Sequence, residues 1–156
     1  MADFSKCRDI FMDSKIHEDE TREDYYLRIR KSFLHRVFKN KYYFDGKIIK
    51  FKKYKNSEGQ VECFHHVITS RNGDMKRVNS IERYEMSLLV FLILDDCSCN
   101  KVQCQCITKR PNYNHPDRIS LYCSKYKYVI ILEPKSDWNE FITAFPVNEK
   151  NEFKYL

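Results

Sequence analysis

Glycine and proline are scarce in this chain, with 3 and 4 residues respectively among 156. Chains that stay disordered or repetitive are usually rich in these residues and poor in apolar ones. Here 42% of the residues are hydrophobic and 15% are aromatic. The composition therefore excludes a low-complexity chain and predicts a folded protein, whose length fits one domain.

Long apolar runs are also missing from the sequence. The longest extends from Leu88 to Leu94, whereas a membrane-spanning helix needs about 18 apolar residues or more. The first residues, MADFSKCRD, lack the basic and then apolar order of a secretory signal. We therefore expect a cytoplasmic protein that makes no contact with a membrane.

Cysteine is present in an odd number, seven, and without an export signal these residues are expected to be thiols rather than disulfides. Four of them form a CxC-x4-CxC arrangement: Cys97, Cys99, Cys104 and Cys106. Four thiolates can hold zinc, although structural zinc sites usually have CxxC spacing. A hairpin that turns alternate cysteines to one face explains the pattern better. We therefore predict no metal and no cofactor.

Charge is distributed unevenly along the chain, although the net charge is +6. Residues 1 to 24 hold eight acidic and four basic residues, whereas residues 25 to 55 hold eleven basic residues and one Asp. We expect residues 1 to 20 to form a mobile acidic leader and residues 21 to 156 to form a single domain. The basic stretch is interleaved with aromatic residues. Because cations bind phosphate and aromatic rings stack on bases, it predicts RNA contact through Lys50, Lys52 and Lys53.

Local signals define the first elements of the domain. Thr21 can cap a helix that continues to about Phe38, and four apolar residues lie at helical spacing on its core face: Tyr26, Ile29, Phe33 and Val37. Asp45-Gly46, the dipeptide preferred in two-residue turns, predicts a hairpin between residues 42–44 and 48–54.

The middle of the chain is expected to contain a strand and a second helix. Residues 61–69 have the composition of a strand, which would carry His65 and His66 on opposite faces. The second helix begins near Asn79 or Ser80, with apolar positions at Ile81, Tyr84, Leu88 and Phe91. A buried strand is the alternative for the apolar run at Leu88.

The last third of the sequence predicts four strands, at residues 101–108, 118–123, 126–133 and 140–146, separated by turn-rich loops. Two main helices combined with such a run of strands predict an α+β domain. We expect the helices to pack on one face of an antiparallel, twisted sheet.

The order of four short motifs resembles the BECR nucleases, whose fold is shared by barnase, EndoU, colicin-type tRNA nucleases and RelE. The resemblance covers about residues 44 to 156. The matching residues are Phe64 and His66, Arg83 and Glu85, Tyr128 and Val129, and the terminal segment Thr143-Ala144-Phe145-Pro146. It implies a BECR-type fold and a metal-independent endoribonuclease, in which the ribose 2′-hydroxyl attacks the adjacent phosphate and leaves a 2′,3′-cyclic phosphate.

This chemistry requires a base, an acid and groups that stabilise charge on the phosphate. His66 is the first candidate for proton transfer and His65 the second, since histidine exists in both protonation states near neutral pH. Arg83 would hold the phosphate, and Glu85 would act as the base or orient Arg83. Thr143 would donate a hydrogen bond to phosphate.

Further residues are candidates for binding RNA. Arg77 and Lys125 can contact phosphate, and Tyr122 can stack or donate a proton. The RNA would be tRNA, mRNA or ribosome-associated. The resemblance also implies a toxin or phage-defence setting with a neutralising antitoxin or immunity protein as partner. The alternative is a non-catalytic module that binds RNA or protein and is stabilised by zinc on the four clustered cysteines.

Overall fold

The computed structural model describes residues 14–70, 78–79, 81–96 and 106–156. Helix α1 (Arg22–Lys39) begins after Thr21, whose side-chain oxygen accepts a hydrogen bond from the Asp24 backbone. This confirms the predicted first helix. Its buried stripe differs by one residue from the prediction, because Tyr25 is the fully buried tyrosine. Tyr26 is half-buried and stacks on Tyr84 with ring centroids 4.0 Å apart.

The predicted hairpin follows α1 and consists of strands β1 (Tyr43–Phe44) and β2 (Lys47–Lys50). Asp45 and Gly46 have φ angles of 51° and 76°. Two central residues in the left-handed region are typical of a type I′ turn, which matches the twist of the flanking strands. The Asp-Gly dipeptide therefore fixes this turn, and β2 ends earlier than expected.

The segment predicted as a strand from residue 61 is mainly helical, so that prediction is wrong. Helix α2 (Glu62–Ile68) is followed by strand β3 (Thr69–Ser70), which pairs with β4 (Val78–Asn79). Four side chains of α2 are buried: Cys63, Phe64, Val67 and Ile68. Their spacing suits a helix, and burying this face against the core outweighs the strand preference of the β-branched residues.

The apolar run after α2 is helical, as predicted. Helix α3 (Ile81–Ser87) leads through Leu88 into the short helix α4 (Leu89–Phe91) and a π-helical turn, Leu92–Asp96. All side chains from Leu88 to Leu94 are buried. A helix that is apolar on every side must lie inside the protein.

Four longer strands complete the fold: β5 (Ile107–Pro111), β6 (Ile119–Cys123), β7 (Tyr128–Pro134) and β8 (Asn139–Pro146). With the hairpin they form one sheet of order β1-β2-β8-β7-β6-β5. The predicted purely antiparallel sheet is wrong at one position, because β2 and β8 are parallel. Helices α2 to α4 and strands β5 to β7 lie between these two strands in the chain, which is long enough to return to the sheet in the same direction.

Alternating residues of the sheet face two different layers. Leu121, Ile130 and Leu132 face the helices, whereas Tyr122 and Val129 face the segment that follows β8. That segment contains a 3-10 turn, Glu152–Lys154. The α+β class with helices packed on a sheet is confirmed, and the BECR type remains a prediction.

Several predictions concern residues outside the described ranges. These are residues 1–13 of the acidic leader, Arg77, the start of the strand predicted at residue 101, and Cys97, Cys99 and Cys104 of the cysteine cluster. Ser14, by contrast, is buried, and its carbonyl accepts a hydrogen bond of 2.5 Å from the Tyr25 hydroxyl. No helix in the described part of the chain combines the length and apolar character needed to cross a bilayer.

Candidate functional site

Helix α2 lies against β8, the strand at the middle of the sheet. β8 pairs with β2 at Asn139 and Glu140, and α2 packs beside the rest of the strand. The Thr143 hydroxyl donates a hydrogen bond of 3.3 Å to the His66 carbonyl. Two of the predicted site residues are therefore neighbours, although 77 positions separate them in the sequence.

The His66 side chain pairs with a carboxylate one helical turn earlier. His66 Nε2 and Glu62 Oε1 are 2.7 Å apart, and the side chains are 28% and 16% exposed. Residues at i and i+4 face each other on a helix, so α2 itself creates this pair. A carboxylate in this position orients the imidazole and stabilises its protonated form. The pair is thus fixed in geometry and still open to solvent.

Arg83 on α3 binds the C-terminal end of α2. Its Nη1 donates a hydrogen bond of 2.9 Å to the carbonyl of Thr69, the residue that ends α2. A cation at this end of a helix interacts favourably with the helix dipole. The guanidinium carbon also lies 5.8 Å from the centre of the Phe145 ring. Arg83 therefore joins α3 to α2 and β8.

Arg83 also lies close enough to Tyr128 to affect its hydroxyl electrostatically. Burial raises the pKa of Tyr128, and the positive charge of Arg83 acts in the opposite direction. Tyr128 is fully buried, and its hydroxyl has no hydrogen-bond partner among the described residues. Arg83, Thr143 and Tyr128 thus surround the contact between α2 and the sheet.

Glu85 is not part of this group. Residues two apart on a helix point in different directions, and Glu85 lies towards α1 and Ser14. The Ser14 hydroxyl donates a hydrogen bond to the backbone carbonyl of Glu85. Burial raises the pKa of Tyr25, and the negative charge of Glu85 adds to that rise. The structure therefore separates Glu85 from Arg83, and Glu85 does not orient the guanidinium.

His65 is adjacent to His66 on α2, rather than on the opposite face of a strand. Their ring centroids are 6.3 Å apart and the rings are nearly perpendicular. The His65 carbonyl accepts a hydrogen bond of 2.6 Å from the Thr69 hydroxyl. Both imidazoles are partly exposed, so the two can reach one ligand on the surface of α2.

The predicted RNA-binding residues lie in different environments. Lys50 Nζ is 4.6 Å from the centre of the Trp138 ring and Lys53 Nζ is 5.4 Å from that of Phe38. Lys52 Nζ is 3.6 Å from Glu140 Oε1. Lys125 Nζ lies 5.5 Å from the centre of the Tyr126 ring. These lysines remain on the surface.

Tyr122 does not fit its predicted contact with RNA. Its side chain is fully buried, and its hydroxyl donates a hydrogen bond of 2.5 Å to Glu152 Oε2. Burial raises its pKa, and the bond to Glu152 adds to the effect. The segment that follows β8 covers the Tyr122 ring, so the ring cannot stack on a base and has a structural role.

Glu62 is the site residue that the sequence analysis missed. Its position four residues before His66 is informative only if both lie on a helix, and the segment had the composition of a strand.

Comparison of the chain with protein-family models, curated proteins and solved structures finds no match. The function must therefore be inferred from the residues of this chain.

Proposed function

We propose that the protein is a metal-independent endoribonuclease whose active site is formed by α2, α3 and β8. The observation that carries the proposal is the Glu62–His66 pair, an imidazole fixed by a carboxylate at 2.7 Å and partly exposed. General acid-base catalysis needs a group of this kind, because proton transfer requires both a fixed position and access to substrate.

In the proposed reaction, neutral His66 removes the proton from a ribose 2′-hydroxyl. The 2′-oxygen then forms a bond to the adjacent phosphorus as the bond from phosphorus to the 5′-oxygen breaks. Glu62 stabilises the imidazolium that forms, in the way a carboxylate supports histidine in other acid-base sites. Protonated His65 gives a proton to the departing 5′-oxygen. The products are a 2′,3′-cyclic phosphate and a 5′-hydroxyl.

Arg83 and Thr143 are assigned to the phosphate. The guanidinium is always charged and presents N–H donors in a planar fork, a geometry that suits a non-bridging phosphate oxygen, and its Nη1 bond to Thr69 fixes its position. The Thr143 hydroxyl has one proton, which it donates to the His66 carbonyl, and it would transfer this hydrogen bond to a second phosphate oxygen when substrate binds. Stabilising negative charge on phosphate is commonly a large term in such catalysis. Glu85 has no role in this assignment.

The proposed substrate is RNA, either tRNA, mRNA or ribosome-associated RNA. The resemblance to BECR nucleases supports a setting of toxins or phage defence, with an antitoxin or immunity protein that neutralises the enzyme. The positive net charge of +6 supports attraction to RNA.

The test is incubation of the protein with total RNA in the presence of a chelator, followed by chemical typing of new ends. We expect cuts that carry cyclic phosphate, and a rate about 10² to 10⁴ lower for His66→Ala. Glu62→Gln should lower the rate less, since it keeps a hydrogen-bonding oxygen but removes the charge. His115→Ala, at an exposed loop position, is the matched control and should cleave normally.

Circular dichroism must show that each variant is folded. Intact RNA with wild-type protein, together with retained RNA binding, would replace the proposal with a non-catalytic binding module. Undiminished cutting by folded His66→Ala would place the active site elsewhere.

A further inference from the structure

Side chains on the outer side of α1, opposite the side that packs on the core, border a shallow, open groove of about 470 Å³, and every residue that lines it belongs to α1. Its apolar lining comes from Leu27, Leu34 and Phe38. Leu27 and Phe38 are 55% and 51% exposed. The buried residues of α1, such as Ile29 and Phe33, lie on the other side of the helix. α1 is therefore apolar on two sides, and the described residues cover one of them.

Cations border this apolar lining. Arg30, Lys31 and Lys39 all line the groove. No carboxylate in the described ranges lies within 4.0 Å of these three cations, and the buried Nε of Arg30 has no hydrogen-bond acceptor. The acidic residues of α1 are confined to its first turn, at Glu23 and Asp24. The groove thus combines apolar side chains with positive charge that no carboxylate of the described ranges neutralises.

The spacing of the lining residues suits a second helix. Leu27, Leu34 and Phe38 lie at i, i+7 and i+11 on α1, which is the spacing of one continuous stripe. A helix laid along such a stripe inserts its own apolar residues between them. Carboxylates on the sides of that helix would meet Lys31 and Lys39. This arrangement matches the groove in the spacing of its apolar residues and in charge.

Two other occupants fit less well. Aliphatic side chains such as Leu27 and Leu34 neither stack on bases nor form hydrogen bonds, so RNA would leave the centre of the groove unused. A second copy of this chain would bring the same cations against each other in a symmetric contact, which is unfavourable. An acidic partner avoids both problems.

We propose that the outer groove of α1 binds an acidic amphipathic helix of another protein. The interaction uses Leu27, Leu34 and Phe38 for apolar contact and the bordering cations for orientation. It is independent of the proposed ribonuclease activity, because His66, Arg83 and Thr143 lie on other elements and do not line the groove.

The probe is a fluorescent synthetic peptide of 18 residues, the length of α1, with Leu at helical spacing and Glu at the remaining positions. Fluorescence anisotropy should show saturable binding to the full chain, weakened by salt as surface charges are screened. Phe38→Ser and Lys31→Glu should each weaken binding at least about tenfold, a change typical of a central contact. Tyr113→Ser, at another exposed aromatic residue, should bind as wild type does.

Further controls decide the outcome. A peptide of the same composition in scrambled order should bind at least about tenfold more weakly, because its apolar residues no longer form one stripe. No saturation below about 1 mM peptide, or equal binding by folded Phe38→Ser, would overturn the proposal. Displacement of the peptide by single-stranded RNA, with equal loss of RNA binding in Phe38→Ser, would assign the groove to nucleic acid and also overturn it. RNA cleavage by Phe38→Ser should equal that of wild type, which separates this test from that of the active site.

Discussion

The two faces of the sheet are covered to very different depths. On the helical face, the Phe33 ring lies 5.0 Å from that of Phe64 and 4.8 Å from that of Phe91, within a large buried cluster. On the other face, the buried cluster in the described part of the chain is small: Tyr122, Val129, Ile131, Val147 and Tyr155. Hydrophobic stabilisation grows with the apolar area removed from water. The helical face should therefore contribute most of the stability.

The small cluster depends more on polar contacts. Its edge is closed by the Tyr122 hydroxyl, which donates to Glu152, while Lys127 Nζ lies 3.7 Å from the same carboxylate. On the helical face, the Phe33 ring packs directly against the rings of Phe64 and Phe91. A face with little apolar area is thus expected to lose a larger share of its stability when one polar contact is removed.

Phe33, on the helical face of the sheet, should give the largest loss of stability. We expect Phe33→Ala to lower the free energy of unfolding by about 3 to 5 kcal/mol, because it leaves a cavity among several rings. Denaturant unfolding followed by circular dichroism measures this change. Phe38→Ala, on the exposed side of the same helix, should change stability by less than about 0.5 kcal/mol. A larger loss at Phe38 would contradict the assigned faces of α1.

Tyr155 tests the opposite face. We expect Tyr155→Ala to lower the free energy of unfolding by about 2 kcal/mol, less than Phe33→Ala, because its ring contacts a smaller cluster. The ring centroids of Tyr122 and Phe145 are each 6.1 Å from that of Tyr155. Phe153→Ala is the matched control, since Phe153 is an exposed aromatic residue two positions away. Equal losses for Tyr155→Ala and Phe33→Ala would show that the two faces contribute equally.

The smallest expected effect comes from the Tyr122 hydroxyl. Tyr122→Phe keeps the ring but removes the donor to Glu152, and should cost about 1 kcal/mol at neutral pH. Burial raises the pKa of Tyr122. The stabilisation linked to its protonated form is therefore complete below the unfolded-state pKa of about 10 and declines as the pH rises above that value.

Between about pH 9 and 11, the free energy of unfolding should thus decline more steeply with pH for wild type than for Tyr122→Phe. Burial also raises the pKa values of Tyr25, Tyr84, Tyr128 and Tyr155, which are present in both proteins and contribute to the decline that remains in the variant. Identical slopes would indicate that the Tyr122 hydroxyl reaches solvent.

The sequence was sufficient for elements that local chemistry determines. Thr21 and the apolar spacing after it predicted α1, and Asp45-Gly46 predicted the hairpin. The strands β6, β7 and β8 were also predicted, within about two residues at each end, which is ordinary for strand boundaries. In each case residues near one another in sequence decide the conformation.

Non-local packing decided what the sequence analysis missed. α2 is helical because its apolar face packs on the core, and no local signal shows that β8 will be its neighbour. The parallel pairing of β2 with β8 depends on the same long-range arrangement. The contact between Thr143 and the His66 backbone follows from it, so the site residues were predicted individually and their geometry was not.

During synthesis on the ribosome, the hairpin of β1 and β2 is made well before β8, the strand that pairs with it. Its neighbour in the sheet begins at Asn139, whose side-chain amide donates a hydrogen bond of 2.7 Å to the Phe44 carbonyl, 95 positions away. The hairpin therefore leaves the ribosome long before the strand that receives it, and the edge of β2 stays unpaired during that time. The sheet is completed only when β8, which is synthesised much later, reaches β2.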